Sequence, residues 1–249
     1  MSTSPAPSHL ATRLTTEQFH ARVHALTPKL AVFDCDGTLW SGDAGSSFMR
    51  WSMESGLLSR EATDWLNNRY EGYKRGDVSE LAICGEMVQV YHGLREAELR
   101  RAAAEFFAKH IEPHIFPEML QLVTDLQKSG VEIWAVSSTC DWVIEEGVKR
   151  FNIPADHVLA ACVTCEEGHA TERLIDVPTD EGKVASLKRK NITAPDAVFG
   201  NSIHDQAMLA IATGAFPVNP SAELLRHSAT VGWPVYYPAS VAPASPLLP

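Results

Sequence analysis

The chain has 249 residues, 45% of them hydrophobic, and a formal net charge of −10. That is enough for one large domain, or for a core domain with a smaller one attached. The acidic balance, with no polybasic run, argues against a nucleic-acid partner, and no run of about 18 apolar residues offers a membrane span.

The N-terminal stretch MSTSPAPSHLATRL has no apolar segment of the kind a secretory signal needs. Thr15 and Gln18 form a capping-box pattern that opens a short helix, EQFHARVHAL, closed by Pro28. LAVF, residues 30–33, is an apolar run of strand length that stops abruptly at Asp34-Cys35-Asp36-Gly37-Thr38. From residue 42 to 112 the signals are helical only. Ser59 and Asp77 occupy N-cap positions, Asp77 pairs with Glu80 as a second capping box, and REAELRRAAAEFFAKH is a further strong helix.

After residue 112 the rhythm changes to alternation. PEMLQLVTDLQKSG is a helix with Pro117 in its first turn and Gly130 past its end. VEIWAV is a strand that leads through Ser137 and Ser138 into a helix. HVLAACVT and TERLI pair as a hairpin around Glu166-Glu167-Gly168, and EGKVASLKRK is a helix opened by Gly182-Lys183. DAVF, AFPV and VYY are strands separated by helices. The Lys188-Arg189-Lys190 cluster is the solvated end of a helix, where cations suit the dipole. Alternating strands and helices predict an α/β fold with a Rossmann-like parallel sheet, and the helical block that interrupts it predicts a small inserted all-helical cap. The expected division is a helical lead-in at 1–27, a catalytic core at 28–41 and 113–238, a cap at 42–112, and a Pro/Ala/Ser-rich tail at 239–249.

Five cysteines, an odd number, argue against a disulfide framework and for a reducing, cytoplasmic setting. Cys162 and Cys165 form a lone C-x-x-C. A zinc site would need further ligands such as His157 or His169, and ordinary strand positions are the simpler reading.

The chemistry gathers at strand ends, where open parallel sheets bind ligands. Asp34 and Asp36 are two apart, so both carboxylates can face one pocket while Cys35 packs on the other side. Adjacent carboxylates need a compensating cation, and oxygen ligands suit magnesium. Ser137 lies before a helix N-terminus, where a hydroxyl can hold an anion. Lys183 opens another helix, and Asn201 and Asp205 follow the strand DAVF.

Together these residues resemble the haloacid dehalogenase superfamily, and within it the phosphoserine-phosphatase-like phosphatases, over about residues 30 to 220. DCDGTL is similar to the family's first motif, Ser137 to the second, Lys183 to the third and GNSIHD to the fourth. The resemblance implies Mg2+-dependent hydrolysis of a small-molecule phosphate ester. In it Asp34 is the nucleophile and Asp36 the general acid and base. Ser137, Ser138, Lys183 and Gly37 form the phosphate site, and Mg2+ lies among Asp34, the Asp36 carbonyl, Asn201 and Asp205. Asp36 also separates the chain from true dehalogenases, whose halide leaving group needs no proton.

Two departures stand out. Asn201 replaces the family's usual aspartate, which removes one negative charge from the metal site. Asp43 stands where phosphoserine phosphatases carry a glutamate for the substrate amine, and Met87 falls near their carboxylate-binding arginine, with Arg75 the nearest cation. A phosphocholine- or phosphoethanolamine-type substrate, phosphotransfer to another alcohol, and a non-catalytic phosphate-binding role are the alternatives. The aromatics of the helical block, Trp40, Phe48, Trp51, Trp65, Tyr70, Tyr73 and Tyr91, either cage a quaternary amine or pack its helices, and their spacing favours packing. Trp142 is expected in packing and His204 on a helix surface beside the site.

Overall fold

The structure, a computed structural model, describes residues 10–241. Its first elements are β1 (Arg13–Leu14), α1 (Thr16–Ala25) and β2 (Leu30–Phe33). Four helices follow: α2 (Ala44–Glu54), α3 (Arg60–Arg75), α4 (Glu80–Gln89) and α5 (Glu96–His110). Next come α6 (Pro117–Lys128), β3 (Glu132–Cys140) and α7 (Asp141–Val148), then β4 (Val158–Glu166) and β5 (His169–Asp176). The chain ends with α8 (Glu181–Arg189), β6 (Ala197–Gly200), α9 (Gln206–Ala210), β7 (Gly214–Pro217), α10 (Ala222–Val231) and β8 (Val235–Tyr236).

Six strands form the main sheet in the order β5-β4-β3-β2-β6-β7. All neighbours are parallel except β4 and β5. The expected hairpin is therefore present. Its turn residues Glu167 and Gly168 both have positive φ (49° and 76°), as a tight two-residue connection requires. The expected last strand, VYY, does not join this sheet. Residues 235–236 pair instead with 13–14 in a separate parallel pair, so the chain ends meet.

Alternation along β2 sorts the core onto two faces. Ala31 and Phe33 look one way, where Phe33, Phe199 and Phe216 occupy one register across three strands and stack at 4.2 and 5.3 Å. Phe19 of α1 meets the same ring cluster and stacks on Tyr236 at 4.1 Å. Val32 looks the other way, into a smaller cluster with Trp134, Val136, Val198 and Leu187. Cys35 is fully buried, as its place on the strand implied.

Two local expectations change. The Thr15–Gln18 capping box is present, but the one assigned to Asp77 and Glu80 is not. Ser79 caps α4 by accepting from the Ala82 amide, while Asp77 pairs with Arg75. This moves Glu80 to the first helical turn and frees its side chain. Strand β3 also runs on through Ser137 and Ser138 to Cys140, so those hydroxyls lie on extended chain rather than in a turn after it. The expected tail at 239–249 falls almost wholly outside the described residues. Its first residue, Ala239, donates a hydrogen bond to Glu118. No helix among the described residues is long and apolar enough to cross a membrane.

The helices between β2 and α6 pack on one end of the sheet. Phe48 of α2 meets Trp51, Tyr91 and Phe106, and Tyr91 meets Trp142 edge-on. Most of the aromatics of this block are thus packing. Trp40 is fully buried against Phe107, and Trp65 is 45% exposed on the outer surface. Tyr70 and Tyr73 differ, as described below.

Candidate active site

A cavity of about 220 Å³ lies between the carboxyl ends of β2, β3 and β6 and the helices α2, α3 and α4. Every residue named from sequence except Gly37 and Asp205 lines it directly: Asp34, Asp36, Asp43, Ser137, Ser138, Lys183 and Asn201. Gly37 and Asp205 stand immediately behind it, each in contact with a lining residue.

Asp34 ends the central strand. Its Oδ1 accepts from Lys183 Nζ at 2.7 Å and its Oδ2 from the Thr38 hydroxyl at 2.9 Å. Lys183 Nζ also donates to Asp205 Oδ1 at 2.5 Å and to the Val136 carbonyl at 3.2 Å, so its three hydrogens are all engaged. Burial alone would pull the Lys183 ammonium down. Asp205 and Asp34 outweigh it, and the group is held protonated above its ordinary value. Asp34 is pushed up to about 7, first by burial and then by Asp205, against the pull of Lys183.

Asp36 is held separately. Its Oδ1 accepts from Trp40 Nε1 at 2.7 Å and from the Ala44 amide at 2.8 Å, and its Oδ2 from the Thr139 hydroxyl at 2.7 Å. Burial and then Asp43 raise it to about 6, against these three donors. Neither Thr139 nor Trp40 was singled out for this role by sequence. Trp40 follows Asp36 by four residues, and that spacing was the only signal available.

Asp205 is fully buried. Its second oxygen accepts from the Asn201 and Ser202 amides, both at 2.9 Å. This folds the loop after β6 into a compact turn. The turn presses the Asn201 side chain against Gly37, where an added Cβ would fall 1.8 Å from Asn201 Nδ2. Gly37 is needed twice there, for this approach and for its φ of +72°. Ser137 Oγ accepts from the Thr139 amide at 3.2 Å and is 2% exposed. Asp43 caps α2 by accepting from the Ser46 amide at 2.9 Å.

His204 lies in the cavity wall rather than on an outer helix surface. Its Nδ1 bonds Asp180 at 2.8 Å, which draws the ring inward. Met87 lines the cavity too, while Arg75 is exposed and paired with Asp77. No arginine is among the lining residues.

The site thus brings two buried carboxylates, Asp34 and Asp205, and the half-buried Asp36 against one ammonium. The surplus is what a bound cation would offset. Among the described residues no group of three or more His, Cys, Asp and Glu side chains is placed to hold a metal ion. The donors lining the cavity include the Asp34 carboxylate and the Asn201 side-chain amide. Both offer hard oxygens, and they fit a magnesium ion that keeps several of its waters.

The family model for haloacid dehalogenase-like hydrolase matches residues 31–210. The chain belongs to this family. It is 27% identical over 216 residues to a histidinol-phosphatase of Neisseria meningitidis serogroup C (strain 8013), covering 83% of this chain and 97% of that one. Among solved structures, a protein of unknown function from Bordetella pertussis Tohama I superposes with a TM-score of 0.73 at 22% identity, over 83% of this chain and 97% of that one. A probable phosphoserine phosphatase from Vibrio cholerae superposes with a TM-score of 0.60 at 14% identity, over 80% of this chain and 58% of that one. At these identities the structural matches speak for the fold. The cysteines of the C-x-x-C, Cys162 and Cys165, are free thiols on β4, as are all the others in their own places.

Proposed function

We propose that this hydrolase is a Mg2+-dependent phosphatase of small-molecule phosphate monoesters, working through a phosphorylated Asp34. The observation that carries the reading is the state of Asp34: buried at the end of the central strand, fixed at both oxygens, and paired with Lys183, the lysine of the cavity wall. The relatives named as histidinol-phosphatase and probable phosphoserine phosphatase support the same class.

In this mechanism the substrate phosphate enters over Asp34, beside Ser137, Ser138 and the Gly37 loop. Asp34 attacks phosphorus and the ester oxygen leaves. Asp36, raised toward neutrality, gives that oxygen its proton and then takes one from the water that hydrolyses the acyl phosphate. Thr139 and Trp40 aim Asp36 through both steps. Lys183 holds Asp34 in place and offsets negative charge on the phosphoryl oxygens. Asp34, the Asp36 carbonyl and Asn201 would hold magnesium, which would supply further positive charge against the repulsion between a carboxylate and a phosphate dianion. We assign Asp205 to fixing Lys183 and the Asn201 loop, not to the metal itself, because it stands behind the cavity and does not line it.

Residues 42–112 act as a cap that shields this chemistry from bulk water, and residues 28–41 and 113–238 as the catalytic core. The setting is cytoplasmic, supported by five free thiols. Phosphoserine is disfavoured as substrate because no lining arginine awaits its carboxylate and Met87 stands in the wall. The test is Asp34→Asn. With magnesium and p-nitrophenyl phosphate, the wild type turns over and the variant loses activity by a factor on the order of 10⁴ or more, with an unchanged circular dichroism spectrum. Residual turnover within tenfold of wild type would remove Asp34 from the chemistry.

A further inference from the structure

One polar atom in the cavity wall has no partner. Glu80 Oε2 is buried and accepts no hydrogen bond. The Glu80 side chain is 16% exposed and lines the cavity that holds Asp34. Its other oxygen receives the Cys84 thiol at 3.5 Å, and the Tyr73 hydroxyl also interacts with this side chain. The nearest basic group, His204 Nε2, stands 3.8 Å away, beyond hydrogen-bond reach, and that ring is already bonded to Asp180. Arg69, the nearest arginine on α3, is spent on Glu86. A buried carboxylate oxygen without a donor is costly, and such groups are kept where a ligand supplies the donor.

The surroundings indicate what the ligand carries. Tyr70 and Tyr73 stand beside Glu80 in the same wall, their rings 6.0 Å apart. Asp43 is a second acid of the wall, and the one lining lysine is fully engaged with Asp34, Asp205 and a carbonyl. Lys74 lies over the Tyr70 ring at 4.9 Å, and an acidic wall of this kind, with its lysine engaged, suits positive charge on a ligand. Burial and the nearby Glu80 carboxylate both push the Tyr73 hydroxyl above its ordinary value, in keeping with surplus negative charge at this spot.

We infer that Glu80 is the specificity-determining residue of the site, and that the substrate is a phosphate monoester bearing a cation, a protonated amine or imidazolium, that donates to Glu80 Oε2. This rests on the phosphatase reading above. It goes beyond it by naming a residue and a charge for the substrate's far end. Asp43, already committed to capping α2, stands by as a longer-range acid rather than the direct acceptor.

The experiment compares ω-aminoalkyl phosphates of two to five carbons with the ω-hydroxyalkyl phosphates of the same length, in wild type, Glu80→Gln and Glu80→Asp, with p-nitrophenyl phosphate alongside. The wild type favours the best amine over its matched alcohol by about tenfold or more in kcat/KM. Glu80→Gln brings that ratio close to one, chiefly through KM, and Glu80→Asp restores part of it. A wild type with no amine preference at any length overturns the inference. So does a Glu80→Gln variant in which amine and alcohol esters fall by the same factor. If p-nitrophenyl phosphate is hydrolysed in either of those cases, only the Glu80 assignment falls. If neither it nor any alkyl ester is hydrolysed, the phosphatase reading falls and takes this one with it.

Discussion

The two walls of the cavity are built to different standards. On the sheet side each charged group is satisfied: Asp34 by Lys183 and Thr38, Asp205 by Lys183 and two amides, Asp36 by three donors. On the helical side Glu80 keeps an oxygen without a donor and Met87 offers none. Fixed groups suit chemistry that is the same for every phosphate ester, because their orientation is set before substrate arrives. An unfinished wall suits recognition, because the missing partner is the part of the substrate that varies.

The sharpest way to break this contrast is to unpick the finished side. Lys183→Met leaves Asp34 and Asp205 buried without their shared partner. Removing one member of a buried ion pair costs about 3–5 kcal/mol, so the unfolding midpoint in urea drops steeply and activity disappears. A variant as stable as wild type would show that the pair adds little to the fold. Next is Asn201→Asp, which restores a negative charge at the metal site. The magnesium concentration for half-maximal activity falls by roughly tenfold, and the rise in Tm on adding magnesium grows. No change, or a rise in the requirement, would remove Asn201 from the ligand set. The smallest effect is expected on the unfinished side. Ser79→Ala removes the α4 cap at a cost of about 1 kcal/mol. Because Glu80 is the next residue, KM for a cationic ester rises more than KM for p-nitrophenyl phosphate. Equal changes in both would mean that α4 can fray without moving Glu80.

The same contrast governs what sequence alone reveals. The sheet wall was legible because its residues sit at fixed offsets from strand ends: Asp34 and Asp36 close β2, Ser137 lies in β3, Lys183 opens α8, and Asn201 follows β6. Period-two alternation also placed Cys35 in the core. The helical wall was not legible in the same way. Asp77 and Ser79 are both acceptable caps two residues apart, and the choice between them decides whether Glu80 closes a capping box or faces the cavity. Tertiary packing settled it: Val78 tucks against Gly72, and Asp77 turns out to Arg75. The partner of His204 was hidden for a similar reason, since only the fold brings Asp180 within reach of its ring. The pairing of the last strand with β1 rests on two residues at each end, too few to leave a pattern.

The β4–β5 hairpin ties the helical block to the sheet. Its turn and second strand bond the chain between α4 and α5 through the main chain. Gly93 donates to Ala170, Ala170 to Leu94 and Glu96 to Gly168, at 2.8 to 2.9 Å. Gln89 adds a side-chain bond to the Glu172 carbonyl. Backbone bonds of this kind act as a stitched seam and side-chain contacts as a loose hem. The helical block is thus tied by its main chain to the antiparallel edge of the sheet at residues 93–96.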